Sequence, residues 1–302
     1  AINGLASEKC HFITSEIEHN SVLRPLTKLA FDGRIDLDIV NADGNGRIRP
    51  DDFLPFLRPD TRAIVVNHGS NVTGQIMDIA SLSRRIRGRG ICLVADGSQA
   101  IGHMPIDVLA LGVDCYAFTG HKGLLGIQGI GGLYIKPGLD LQPLISGGTG
   151  SQSEILMPDS RLEGFLEAGT PNIPGIISIN AGIDYLNERG LDRLIRLERE
   201  LFHELLTELK GIPNVRLVSE SGSEPCLPVL AFIIDGFDSS ELAMILAESF
   251  GIVTRGGLHC APLIHRAIGT APSGALRISL SHFNQPSDIH RLVEAIRKIC
   301  LK

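Results

Sequence analysis

The sequence has no CxxC pair, no apolar run long enough to cross a bilayer, no surplus of basic charge, and no glycine-rich GxGxxG after its first strand-like segment. Each absence removes a class of function. Its six cysteines, Cys10, Cys92, Cys115, Cys226, Cys260 and Cys300, are too scattered for a zinc knuckle or a disulfide framework. Lys and Arg number 28 against 34 Asp and Glu, a net charge of -6, and they are spread along the chain, which argues against nucleic acid as a partner. With no spanning run and no basic-then-apolar leader at Ala1, the expectation is a cytoplasmic protein with no membrane partner. The missing GxGxxG speaks against a plain dinucleotide-binding protein. No internal repeat or low-complexity tract is found.

What is present describes a large α/β chain. At 302 residues, 43% hydrophobic and 21% charged, there is enough material for one large α/β domain and a smaller one. Apolar runs predict strands at His11–Thr14, Ile35–Val40, Ala63–Asn67, Ile91–Ala95, Asp114–Phe118 and Gly132–Ile135. Helical spacing predicts helices at Ser21–Phe31 and Met77–Arg87, with a short one at Asp51–Leu57. Such alternation implies a sheet built from crossover units. From Pro143 to Pro174 the texture turns to Gly, Ser, Thr and Pro, an irregular segment long enough to suggest a functional role. Helices then follow at Ile176–Asn187 and Leu191–Lys210. A second alternation has strand Val229–Ile234, helix Ser239–Phe250, strand Ala275–Leu280 and helix Asp288–Cys300.

The polar residues collect just beyond predicted strand ends, where open α/β sheets form their crevices. Asn71 follows one strand, Asp96-Gly97-Ser98-Gln99 closes the next, and Thr119-Gly120-His121-Lys122 closes a third. A lysine amine that can hold a cofactor as a Schiff base, with an acid to keep a pyridine nitrogen protonated, is the pairing that pyridoxal phosphate (PLP) chemistry requires. Taken singly, each residue has a plainer reading: a solvated lysine, a turn at Asn71 and Thr73, a surface ion pair for Arg277. Cys92 and Cys115 sit in apolar runs and read as small buried hydrophobes. Cys260 differs, lying in the loop-like Gly256-Gly257-Leu258-His259-Cys260-Ala261-Pro262.

Taken together, Ser70-Asn71-Val72-Thr73-Gly74, Asp96-Gly-Ser-Gln99, Thr119-Gly-His121-Lys122 and Glu167-Ala-Gly-Thr170-Pro-Asn172 resemble, in order and rough spacing, the class V aminotransferase-fold PLP enzymes. Gly257-Leu-His259-Cys260-Ala-Pro262 resembles the cysteine desulfurase and selenocysteine lyase branch. The resemblance implies a PLP-dependent transferase fold: a mostly parallel, seven-stranded type of large domain over 1–190 and a smaller C-terminal α+β domain over 191–302. It implies that Lys122 carries the cofactor and shuttles the Cα proton, that Asp96 holds the pyridine N–H, and that Gln99 and Asn71 bond the ring's phenolic oxygen. His19 is similar to the histidine stacked on the ring, and Thr119 and His121 to residues at the phosphate. Thr170 matches a threonine that reaches the phosphate of the other subunit of a homodimer. Arg277 matches the arginine for the substrate carboxylate, and Cys260, on a mobile loop, the thiol that takes sulfur from L-cysteine as a persulfide, for delivery to a sulfur-acceptor protein. His259 and Arg255 are candidates to activate that thiol.

One departure stands at the front. Ala1-Ile2-Asn3-Gly4-Leu5 resembles the middle of the helix that follows a phosphate-binding loop in this family, so the expectation is an N-terminally incomplete chain. The alternatives to a desulfurase are a selenocysteine lyase or class V aminotransferase on the same scaffold, or an inactive remnant that binds a partner.

Overall fold

The computed structural model describes residues 1–7, 9–148, 150, 154–156, 164–218 and 226–301. Thr149 and much of the expected irregular segment between 143 and 174 lie outside them. In chain order the elements are α1 (Ile2–Leu5), β1 (Cys10–Ser15), α2 (Asn20–Phe31), β2 (Ile35–Val40), a 3₁₀ helix (Pro50–Phe56) and β3 (Thr61–Asn67). Then come α3 (Ile79–Ile86), β4 (Cys92–Asp96), α4 (Val108–Leu111), β5 (Cys115–Thr119), β6 (Gly131–Ile135), α5 (Ile173–Arg189) and α6 (Leu191–Lys210). The chain ends with β7 (Val215–Leu217), β8 (Val229–Ile234), α7 (Ser239–Phe250), α8 (Pro262–Ala267), β9 (Leu276–Ser279) and α9 (Pro286–Cys300).

Among the described residues the first sheet has six strands, ordered β2-β1-β3-β4-β5-β6, against the seven expected. The next described element after β6 is α5. The β1, β2, β3, β4 and β5 pairings are parallel, while β6 returns antiparallel to β5. The alternation of strands and helices did not foretell that reversal. Residues 120–130 make a loop with no helix in it, and a parallel neighbour needs a longer crossover.

Side chains alternate across the sheet, as a pleated strand requires. Phe12, Ala63, Val65, Cys92, Val94 and Cys115 enter one core with Val22, Leu26 and Leu29 of α2. Their neighbours Ile13, Ile64, Val66, Leu93, Ala95 and Tyr116 enter the opposite one, packed by Ile79, Leu82 and Ile86 of α3. Both faces are thus covered, which is why these strands read as continuous apolar runs.

The antiparallel sheet β7-β8-β9 alternates likewise. Leu230, Phe232 and Ile234 face Leu205 of α6, Leu246 of α7 and Ile296 of α9, whereas Ala231 joins the core of the first sheet. The turn after β3 fixes this docking. Gly74 adopts φ +72°, and an added Cβ would stand 2.7 Å from the Val229 carbonyl oxygen, so the turn lies directly on β8. The Leu227 N–H donates to the Gly74 carbonyl at 2.8 Å.

Helix α5 braces the loop after β5. Gly182 lies against Leu124, where a Cβ would come within 1.9 Å of the carbonyl oxygen, and Ser178 Oγ accepts the Ile127 N–H at 3.0 Å. A side chain at 182 must push helix and loop apart. Gly182→Ala is expected to lower stability by about 1–3 kcal/mol despite the better helix propensity of alanine, read as a lower urea midpoint.

Candidate active site

The strand order reverses direction between β1 and β3, the place where open α/β sheets split apart at their carboxyl ends. There an open cleft of about 940 Å³ gathers His19 and Ser21 after β1, Asn67 at the end of β3 and Asn71 after it, and Asp96, Ser98 and Gln99 at the end of β4. It also takes Thr119, His121 and Lys122 from β5 and its loop, and Arg255, His259 and Arg277 from the second sheet's side. Of the expected site residues, the structure therefore brings His19, Asn71, Asp96, Gln99, Thr119, His121, Lys122 and Arg277 to one place. Thr170 is exposed and does not line this chain's own cleft.

Asp96 is held from two sides: Oδ1 accepts the Ser98 N–H at 2.9 Å, and Oδ2 lies 3.4 Å from Ser21 Oγ. Ser21 was not singled out in the sequence, although its place two residues after His19, at the start of α2, is the available signal. His19 caps that helix, its Nδ1 accepting the Ser21 N–H at 3.0 Å with Ser21 Oγ at 2.9 Å. The neutral ring therefore carries its proton on Nε2. Burial, and then the charge of Lys122, hold the His19 pKa below its ordinary value.

Lys122 Nζ has no hydrogen-bond or ion-pair partner among the described residues. Burial pulls its pKa down, opposed by the charge of Asp96. Thr119 Oγ1 and His121 Nδ1 bond each other at 2.7 Å at the rim.

Cys260 does not itself line the cleft; it lies at the edge, beside His259 and Arg255 which do, on a segment anchored at several points. His259 and Cys260 both take left-handed φ, 51° and 59°, a cost on the order of 1–3 kcal/mol each for non-glycine residues. Asn71 Nδ2 donates to the His259 carbonyl at 2.7 Å, and the Asn20 N–H donates to the Cys260 carbonyl at 2.7 Å. The buried His259 ring donates from Nε2 to the Ala275 carbonyl at 2.9 Å. Burial and then the charge of Arg277 lower its pKa to about 4. Kept neutral, the imidazole supplies no positive charge beside the thiol, while its Nδ1, buried without a hydrogen-bond partner among the described residues, retains the proton-acceptor part of the expectation. Arg255 remains, with Nη2 3.9 Å from Cys260 Sγ. Its backbone pairs with that of Arg277, whose Nη1 donates to the Asn71 carbonyl at 3.0 Å and whose buried Nε has no partner. Two guanidinium groups without a carboxylate partner among the described residues make this wall suited to an anionic ligand.

Glu18 was overlooked as well, being a single acid beside His19 in a polar string. It is fully buried: Oε1 accepts from Ser15 Oγ at 2.5 Å, and Oε2 has no partner. Burial raises its pKa to about 8; hydrogen bonds from Ser15 and the Asn67 backbone oppose the rise, and the charge of Asp96 adds to it. A carboxyl with a raised folded-state pKa favours folding fully below its ordinary value of 4.5 and loses that contribution as pH climbs to about 8. Glu18→Gln, which cannot ionise, should lose that loss. Its stability relative to the parent should improve by a few kcal/mol, as an order of magnitude, between pH 5 and pH 8 in urea titrations.

The comparisons with known proteins agree with this geometry. The aminotransferase class-V family matches residues 1–292. A probable cysteine desulfurase of Methanothermobacter thermautotrophicus is 33% identical over 293 residues, 95% of this chain and 72% of that protein. A cysteine desulfurase of Escherichia coli is 31% identical over 295 residues, 96% of this chain and 71% of that one. Among solved structures, a cysteine desulfurase of Thermococcus onnurineus in its apo form superposes with a TM-score of 0.90 at 28% identity, covering 99% of this chain and 76% of that chain. An Escherichia coli cysteine desulfurase gives 0.86 at 29% identity, covering 97% and 72%. The chain belongs to the aminotransferase class-V family, among relatives that are cysteine desulfurases.

Proposed function

We propose that this protein is a PLP-dependent cysteine desulfurase-like enzyme that converts L-cysteine to alanine and leaves the sulfur on Cys260 as a persulfide. The observation that carries the reading is the convergence, in one cleft, of an unpaired half-buried lysine, a carboxylate and two arginines, one of which, Arg255, reaches the Cys260 thiol at the cleft's edge. The residues fit the cofactor: an amine for its aldehyde, an acid for its ring nitrogen, an imidazole whose proton is directed to Nε2, and polar groups at the rim. Lys122 Nζ would hold it, Asp96 its ring N–H, Gln99 and the remaining Nδ2 hydrogen of Asn71 its phenolic oxygen, His19 its face, and Thr119 and His121 its phosphate. When bound, PLP supplies an electron sink that loosens bonds around the amino-acid Cα.

The chain's own groups do the rest. Arg277 binds the substrate carboxylate through its planar fork, which fixes the amino acid's orientation. The lowered proton affinity of Lys122 suits it to take a proton at Cα and return it. Cys260 Sγ, as thiolate beside the Arg255 charge, bonds to the substrate sulfur as the Cβ–S bond breaks, and the electron pair of that bond leaves with carbon. One further proton on carbon completes alanine. The balance is L-cysteine plus thiol giving alanine plus persulfide, which is neutral in redox terms.

The same reading extends to the assembly. Thr170 and the exposed Ile173, Ile176 and Ile177 of α5 support a homodimer in which Thr170 reaches the partner's phosphate site. Residues 191–302 form the smaller unit that delivers Cys260 and Arg277, the setting is the cytoplasm, and a sulfur-acceptor protein removes the persulfide. Among the described residues no helix is long and apolar enough to cross a membrane.

Purified protein incubated with PLP should develop a visible absorption band, and borohydride reduction should fix the cofactor to Lys122 in peptide maps. L-cysteine should then yield alanine. Cys260→Ala should retain the band and lose at least about a hundredfold in turnover, while Arg277→Lys should raise KM about tenfold. A folded sample without a band favours the partner-binding alternative. A band with turnover unaffected by Cys260→Ala rules out the persulfide route. Sedimentation should give a dimer, and Ile176→Glu should shift it to monomer.

A further inference from the structure

Asn71 sits where the two halves of the candidate site meet, and its contacts there run to the protein, 188 and 206 residues along the chain. The His259 carbonyl that accepts its Nδ2 hydrogen belongs to the peptide joining His259 to Cys260, the two residues held at left-handed φ. An L residue abandons that conformation unless surrounding contacts hold it. The peptide plane between them is the hinge on which the direction of the thiol turns. On its far side the Cys260 carbonyl is taken by the Asn20 N–H, one residue from His19. The backbone carbonyl of Asn71 meanwhile accepts from Arg277 Nη1. One residue thus restrains both the cysteine segment and the arginine beside it. Its own position is set by the turn in which Ser70 Oγ accepts the Val72 and Thr73 N–H groups, at 3.2 and 3.1 Å.

We propose that Asn71 is a positioning residue for the Cys260 thiol: its side-chain amide latches the 259–260 peptide in its strained conformation and keeps Sγ at the edge of the cleft beside Arg255. The purpose of the latch rests on the desulfurase reading, but the latch itself does not. The preformed geometry makes the thiol ready in the resting protein, since no loop has to be ordered when substrate arrives.

The test reads the thiol and the backbone directly, on the purified chain with and without added PLP. In the unsubstituted protein the Asn20 amide should exchange with deuterium at least about tenfold more slowly than a free amide. In Asn71→Ala, and in Asn71→Asp, which keeps the size and loses the donor, that protection should fall. Alkylation of Cys260 by iodoacetamide, followed by peptide mass, should accelerate by roughly fivefold or more, while the buried Cys92 and Cys115 stay slow as internal controls. Both effects should appear whether or not PLP is present. Unprotected Asn20 in the parent chain overturns the latch without any variant, and so does a folded Asn71→Asp with the parent's alkylation rate. If the variants behave as expected while no PLP band forms, the latch stands and the cofactor reading fails.

Discussion

The parallel register of β3, β4 and β5 is the constraint on which the cleft depends. Asn67 pairs with Asp96, and Asp96 with Ala117, so the polar ends of β3 and β4 arrive at one level and Thr119 follows two residues further along β5. A slip of a single residue would carry Asp96 to the other face of the sheet and the apolar neighbours into the crevice. The alternation of Ala63, Val65, Cys92, Val94 and Cys115 toward one core and Ile64, Val66, Leu93, Ala95 and Tyr116 toward the other resists that slip. The burial that holds the sheet together also aims the carboxylate.

Electrostatics in the cleft are asymmetric for a physical reason. Asp96 stands against Lys122, Arg255 and Arg277. Burial lowers the pKa of His19 and His259 and raises that of Glu18, each toward its neutral form. What remains is a wall of positive charge opposite one acid, an arrangement that attracts anionic ligands and orients them.

The wall of the cleft that faces Asp96 is assembled from residues far apart in the chain. Docking of β8 on the Gly74 turn brings β9, and with it Arg277, against Asn71. The cysteine segment is then held between the start of α2, the turn after β3 and the residue that leads into β9. Its left-handed residues keep their conformation because contacts from three directions over-determine them.

Much of this was legible in the sequence, because helix and strand are written in local periodicity. Ile35–Val40, Leu191–Lys210, Val229–Ile234 and Ser239–Phe250 have the bounds that the pattern predicts; Asn71 and Lys122 lie past strand ends as expected, whereas Asp96 is itself the last residue of β4. The short α4, α8 and β7 escaped notice, since a few residues cannot display a period. By itself the sequence determined the family, the α/β class and the residue types available to the site. Only the tertiary structure decided that β6 runs antiparallel, that His259 is sealed and neutral, that Glu18 is buried without a counter-charge, and that Asn71 spends a donor on the 259–260 peptide. Those are outcomes of desolvation and of hydrogen bonds between distant segments, and neither quantity exists until the chain has packed.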